Sequence, residues 1–128
     1  ASVVMPGLAE GQLLTGRSKP DDIAQFYLRR GAHEVVIKLG AQGARGWTGD
    51  GQTAQSRSFA VTPIDTVGAG DGFAAGYLAA FLAGASLQAR VDQGAAVGAV
   101  VTTRRGDLAA MPTRAEVDEL LAQPTVPT

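Results

Sequence analysis

The sequence predicts an α/β fold, and three observations carry that prediction. A helical run with Ile23, Phe26, Tyr27 and Arg30 spaced by three and four leads straight into the strand Glu34-Val35-Val36-Ile37-Lys38-Leu39. The β-branched centre of that strand lacks polar alternation, which suits a strand covered by helices on both faces. The composition is globular: 128 residues, 45% hydrophobic and 18% charged, with 17 glycines and 6 prolines. Such a chain buries roughly two thirds of its unfolded surface in one domain.

In chain order, Ser2-Val3-Val4-Met5 reads as the tail of a buried strand stopped by Pro6-Gly7. Leu8 to Thr15 forms a short helix ended by Gly16. Ser18 is the expected N-cap of the next helix, with Pro20 in its first turn and Asp21 and Asp22 at the positive end of its dipole. It runs to about Arg30 and stops at Gly31. After the buried strand, Ala44–Trp47 and Thr53–Phe59 pair as a hairpin around Thr48-Gly49-Asp50-Gly51-Gln52. Trp47 and Phe59 are expected to cover the sheet. Three helices follow. The first spans about Gly70 to Ala83, the second is capped by Ser86 and ends near Arg105-Gly106, and the third starts with the capping box Thr113-Arg114-Ala115-Glu116.

Bulk properties exclude several function classes. The net charge of −1 gives no footprint for nucleic acid or an anionic membrane. The absence of cysteine excludes disulfides and thiolate metal sites and fits a reducing, cytoplasmic setting. No apolar run approaches the roughly 20 residues of a membrane-spanning helix, and the first residues lack the features of a signal peptide. The lone His33 has no second ligand nearby, so it reads as structural. There is no Gly-x-x-x-x-Gly-Lys-[Ser/Thr] loop and no Gly-x-Gly-x-x-Gly fingerprint.

The chemistry lies in Asp65-Thr66-Val67-Gly68-Ala69-Gly70-Asp71, followed at once by the apolar helix from Phe73. Small residues let the backbone approach a ligand closely, and the first N–H groups of a helix are free to bind an anion. A carboxylate in that same turn repels a bound phosphate. It makes sense if it takes a proton from a hydroxyl that attacks phosphorus. The segment therefore reads as a phosphoryl-transfer loop, with Asp71 as a simple dipole-favoured helix residue being the plainer alternative.

The run Asp65 to Leu78 resembles the C-terminal signature of the ribokinase-like sugar kinases, the pfkB family. The resemblance extends over nearly the whole chain. Pro6-Gly7-Leu8-Ala9-Glu10 is similar to the family's Asn-x-x-Glu segment, with Gly7 where the asparagine stands. Lys38-Leu39-Gly40-Ala41-Gln42-Gly43-Ala44 resembles its nucleotide strand and loop. Thr102-Thr103-Arg104-Arg105-Gly106 with Met111-Pro112-Thr113 resembles its adenine-side segment. Leu8-Ala9-Glu10-Gly11, Leu13-Leu14-Thr15-Gly16 and Lys38-Leu39-Gly40 are most like 2-keto-3-deoxygluconate kinases, with fructokinases close behind and ribose as a further alternative substrate.

The resemblance implies a Rossmann-like ribokinase fold, layered α/β/α, and an ATP-dependent kinase using Mg²⁺. It makes Asp71 the general base and the backbone of Gly68, Ala69, Gly70 and Asp71 the anion hole. Asp65 and Thr66 become ligands of a monovalent cation such as K⁺, or else an Asx-turn. Glu10 acts through water near Mg²⁺, or is an ordinary surface glutamate. Lys38, Gly40, Gly43, Ala95 and Gly106 lie by the nucleotide. Lys38 also reads as a strand-end charge, and Gly40 and Gly43 as turn residues. Ala95, Ala96 and Gly98 suit an adenine pocket wall, although many relatives have asparagine at the position of Ala95. Asp107 stands where a small residue is commoner.

Family members are usually more than twice as long. The expectation is that residues 1–128 form the C-terminal, ATP-side part of such a kinase, without the sugar-binding half and the β lid. A sheet cut this way exposes an apolar edge and face, which favours pairing with the missing N-terminal half or homo-oligomerisation. The partners implied are ATP and a small sugar, with no nucleic acid and no membrane. The alternative class is a non-catalytic nucleotide-binding fragment or interaction module.

Overall fold

The computed structural model describes residues 2–59, 68–103 and 112–123. Strand β1 covers Val3–Val4, helix α1 Leu8–Thr15, α2 Pro20–Arg29 and β2 Glu34–Lys38. A 3₁₀ turn at Gly40–Gln42 precedes β3 (Ala44–Thr48) and β4 (Thr53–Gln55). Helices α3 (Ala69–Leu82), α4 (Leu87–Thr102) and α5 (Arg114–Leu121) complete the described chain.

Local chemistry sets most of these boundaries. α1 ends at Gly16, whose φ of 72° is the left-handed conformation that a residue with a Cβ avoids. Ser86 Oγ accepts the Ala89 N–H at 3.2 Å at the start of α4. Thr113 Oγ1 accepts the Glu116 N–H at 3.2 Å, and Glu116 Oε1 accepts the Thr113 N–H at 3.0 Å. The expected Ser18 cap is not formed. Pro20 disfavours helical backbone at the residue before it, so Lys19 (φ −91°, ψ 139°) becomes the N-cap of α2. The Ser18 carbonyl instead accepts Gln12 Nε2 at 3.0 Å.

The four strands lie in the order β1-β2-β3-β4. β1 runs parallel to β2, while β2–β3 and β3–β4 are antiparallel, with Val36 opposite Gly46 and Trp47 opposite Thr53. The hairpin expected around residues 48–52 is present. Val35, Val36 and Ile37 are all fully buried. Val35 and Ile37, with Trp47, pack against Ile23 and Ala24 of α2 on one face. Val36 and Ala44 pack against Phe73, Tyr77, Leu87 and Val91 of α3 and α4 on the other. The result is the layered α/β/α arrangement, with α5 added outside α4 through Val117 and Leu120. Trp47 covers the sheet as expected, its indole N–H donating to Asp21 Oδ1 at 3.1 Å. Phe59 does not join the sheet layers and packs with the α4–α5 cluster.

Glycines let α3 and α4 meet at backbone distance. A Cβ on Gly76 would stand 2.7 Å from Val97 Cγ2 and 3.0 Å from the Gln93 carbonyl oxygen. Gln93 fixes the crossing, since its Nε2 donates to the Gly76 carbonyl at 2.9 Å and its Oε1 accepts Arg114 Nη1 at 2.8 Å. A buried polar triad ties both helices to the start of β2. The Tyr77 hydroxyl donates to Glu34 Oε2, and Arg90 Nη1 donates to Glu34 Oε1 at 2.6 Å. Glu34 is only 5% exposed, so these two donors replace the water it gave up. Elsewhere Leu13 and Leu82 are 85% and 84% exposed, and among the described residues no helix is long and apolar enough to cross a membrane.

Tyr77→Phe removes one donor from a buried carboxylate and is expected to lower unfolding free energy by about 1–3 kcal/mol in urea denaturation. Burial, and then the hydrogen bond to Glu34, push the Tyr77 phenol far above its ordinary range. The folded state therefore holds this proton where the unfolded state releases it. Stability from the triad is intact below a pH of about 10 and falls as pH rises beyond it. Tyr77→Phe should flatten that alkaline decline; an unchanged slope would rule out the assignment.

Candidate active site

Five separate parts of the chain converge on one cleft of about 960 Å³, within the size range of small-molecule sites. The N-terminal turn of α1 contributes Gly7, Leu8, Glu10 and Gln12. The end of β2 and the turn after it bring Lys38, Leu39, Gly40, Gln42 and Gly43. Beyond β4 come Arg57 and Phe59. The remaining walls are Ala69, Gly70 and Phe73 of α3 and Ala95, Gly98, Ala99 and Thr102 of α4.

Eight of the expected residues thus share one cavity: Glu10, Lys38, Gly40, Gly43, Ala69, Gly70, Ala95 and Gly98. Gly68 caps α3 in the left-handed conformation (φ 84°) and turns the chain into the helix. Asp71 lies in the first turn of α3, exposed, one residue beyond the part of that turn that lines the cleft. Asp65, Thr66 and Gly106 fall outside the described residues, as do Arg104, Arg105 and Asp107. Ala96 does not form a pocket wall. Residues 95, 98, 99 and 102 occupy one helical face, and Ala96, about 100° away, is fully buried among Val117 and Leu120.

The electrostatics of the cleft favour an anion. A Cβ on Gly70 would stand 3.3 Å from Lys38 Nζ, so the ammonium lies against the first turn of α3. There the helix itself offers no acceptor to the N–H groups of Ala69, Gly70 and Asp71, and its dipole presents its positive end. Among the described residues no carboxylate pairs with Lys38. Glu10, by contrast, is engaged locally, and its Oε1 accepts the Gly7 N–H at 3.2 Å across the start of α1. The turn at Gly40–Gln42 is held by Gly43 at φ 87°, where a Cβ would overlap Ser56 Oγ. This tight seat brings the backbone of Leu39 to Gly43 to the rim.

Arg57 was not legible in the sequence. It lies in a short polar stretch with no periodicity, and its role arises from contacts far along the chain. Its backbone N–H donates to Asp92 Oδ1 at 2.8 Å, and its Nη1 and Nη2 donate to the Leu121 and Gln123 carbonyls. The guanidinium carbon stands 5.1 Å from the Phe59 ring centroid. Arg57 thereby joins the cleft wall to the C-terminal end of α5.

The pattern of the pfkB family carbohydrate kinases matches residues 1–114. The 2-dehydro-3-deoxygluconokinase of Bacillus subtilis (strain 168) is 44% identical over 122 residues, which make up 94% of this chain and 38% of that protein. The solved structure of a putative Ribokinase II from E. coli in complex with ATP and Mg²⁺ superposes with a TM-score of 0.85 at 28% identity. It covers 93% of this chain and 38% of the E. coli chain. Phosphofructokinase-2 from Escherichia coli in complex with potassium gives a TM-score of 0.81 at 30% identity, over 94% of this chain and 40% of the other. The chain thus spans about two fifths of the length of these relatives, and its layers are those of the ribokinase fold. On the family pattern, the shared identity and the common fold, this chain belongs to the pfkB family of carbohydrate kinases.

Proposed function

We propose that residues 1–128 are the nucleotide-binding and catalytic part of a longer ATP-dependent sugar kinase. It transfers the γ-phosphoryl group of ATP to a primary hydroxyl of 2-keto-3-deoxygluconate, the compound also called 2-dehydro-3-deoxygluconate. The observation that carries this reading is the position of the Lys38 ammonium against the first turn of α3, inside the cleft that Gly40, Gly43 and Ala95 also line. Fixed positive charge and unused N–H donors at one point suit the γ-phosphate, and the flat wall of Ala95, Gly98 and Ala99 suits adenine. The choice of sugar follows the 44% identical relative, with fructose and ribose as the competing substrates.

In the proposed reaction the Asp71 carboxylate accepts the proton of the sugar hydroxyl as its oxygen bonds to the γ-phosphorus. The bond from that phosphorus to the β-phosphate oxygen breaks, and ADP leaves. Lys38 and the N–H groups of Gly68, Ala69, Gly70 and Asp71 hold the charge on the transferring group. The exposure of Asp71 fits a base that meets its sugar outside the nucleotide cleft. Mg²⁺ supplies charge neutralisation when bound with ATP. Among the described residues no cluster of three acidic or histidine side chains is built for a metal. Glu10, at the cleft, is the residue that would reach such an ion through water, with the phosphates as the main ligands. Asp65 and Thr66 are the proposed ligands of a K⁺ ion, and Gly106 the adenine-side glycine.

Calorimetry with Mg·ATP tests the nucleotide site. Binding should survive Asp71→Ala, vanish with Gly68→Val, and weaken about tenfold with Lys38→Met, the size of one charge-assisted contact. No binding by the folded wild-type chain would remove the reading. ADP release in the presence of 2-keto-3-deoxygluconate, fructose or ribose tests the chemistry. Where turnover is measurable, Asp71→Asn should lower kcat by about 10²–10⁴ while ATP affinity stays within about twofold. Mg·ATP binding with no turnover on any sugar would favour a nucleotide-binding module instead.

A further inference from the structure

A second hollow, of about 110 Å³, lies away from the cleft and shares none of its lining residues. It is lined by Arg17, Asp22, Gln25, Phe26, Arg29 and Arg30. Arg30 lies over Phe26, its guanidinium carbon 3.6 Å from the ring centroid, and its Nη1 donates to the Phe26 carbonyl at 3.1 Å. Arg17 comes from a different segment, the turn after α1, and reaches the same ring at 5.7 Å.

A favourable interaction with the negative end of α2 explains a basic residue at position 29 or 30. It does not explain why Arg17, from another segment, converges on the same ring. Guanidinium groups do not lose their charge in a protein, so gathering three of them around one hollow is opposed by their mutual repulsion. The Phe26 ring offsets part of this as a shared cation–π platform. Among the described residues no carboxylate forms an ion pair with Arg17, Arg29 or Arg30, although Asp22 lines the same hollow. Most of the guanidinium donors are therefore unused, and their fork geometry matches a tetrahedral oxyanion.

We infer that this hollow is a binding site for one phosphate group, held by Arg17, Arg29 and Arg30 around Phe26. The phosphate is that of the free inorganic ion or of a small phosphomonoester. The site is independent of the nucleotide cleft and of the proposed reaction.

The test is a side-chain NMR titration of the 128-residue chain at constant ionic strength, with inorganic phosphate in one arm and methyl phosphate in the other. The arginine Nε–Hε and Phe26 ring signals should shift saturably in at least one arm. The arm with the lower Kd identifies the source of the group. Arg17→Gln and Arg29→Gln, each confirmed as folded by an unchanged backbone amide spectrum, should weaken binding about tenfold. Phe26→Leu should remove the ring shift and weaken binding as well. Shifts that rise linearly without saturating in both arms, or that persist unchanged in the arginine variants, would overturn the proposal.

Discussion

The close approach of α3 to α4 is the constraint on which the rest of the molecule depends. Gly76 meets Val97 and the Gln93 carbonyl at distances that leave no room for a methyl group, and Gly94 lies under the ring of Phe73 in the same way. Because the two helices touch through backbone, their relative position has little freedom, and a substitution there must shift whole elements rather than one side chain. The cleft draws one wall from each helix: Ala69 and Gly70 from α3, Ala95 and Gly98 from α4. The spacing of those walls is inherited from a contact that lies deeper in the protein.

Strand β2 supplies the second reference line. Its first residue, Glu34, binds Tyr77 of α3, and its last, Lys38, stands against Gly70 of the same helix. From Glu34 to Lys38 an extended strand rises about 13 Å. From Tyr77 back to Gly70 a helix covers about 10 Å. The strand and helix therefore run in opposite directions with nearly matched lengths, bonded to each other at the Glu34–Tyr77 end. A buried carboxylate at one end fixes the height at which the helix begins at the other. The ammonium of Lys38 then meets the first turn of α3 without any direct tether between the two.

Much of this was legible in the sequence where the signal is local. Gly16, Ser86 and the Thr113–Glu116 pair mark helix ends because each acts on backbone within three or four residues. The run Val35-Val36-Ile37 announced a doubly covered strand, and the glycines and acids of residues 65–71 pointed to the pfkB family, whose pattern the chain matches. What failed did so for identifiable reasons. Ser18 has the right side chain for a cap, but Pro20 moves the cap to Lys19. Ala96 reads like its neighbour Ala95, and only the angle between them on α4 sends one to the cleft and the other to the core. Arg57 and Phe59 depend on residues 35 to 66 positions away, so no local pattern could mark them.

The long reach of Arg57 also bears on the order in which the protein is made. During synthesis the cleft residues up to Thr102 leave the ribosome before Leu121 and Gln123, whose carbonyls receive the Arg57 guanidinium. Until those last partners emerge, the backbone of Arg57 can already meet Asp92, but its guanidinium has no carbonyl to leave water for. The Arg57 guanidinium therefore takes its final place only once the chain after α5 has been made.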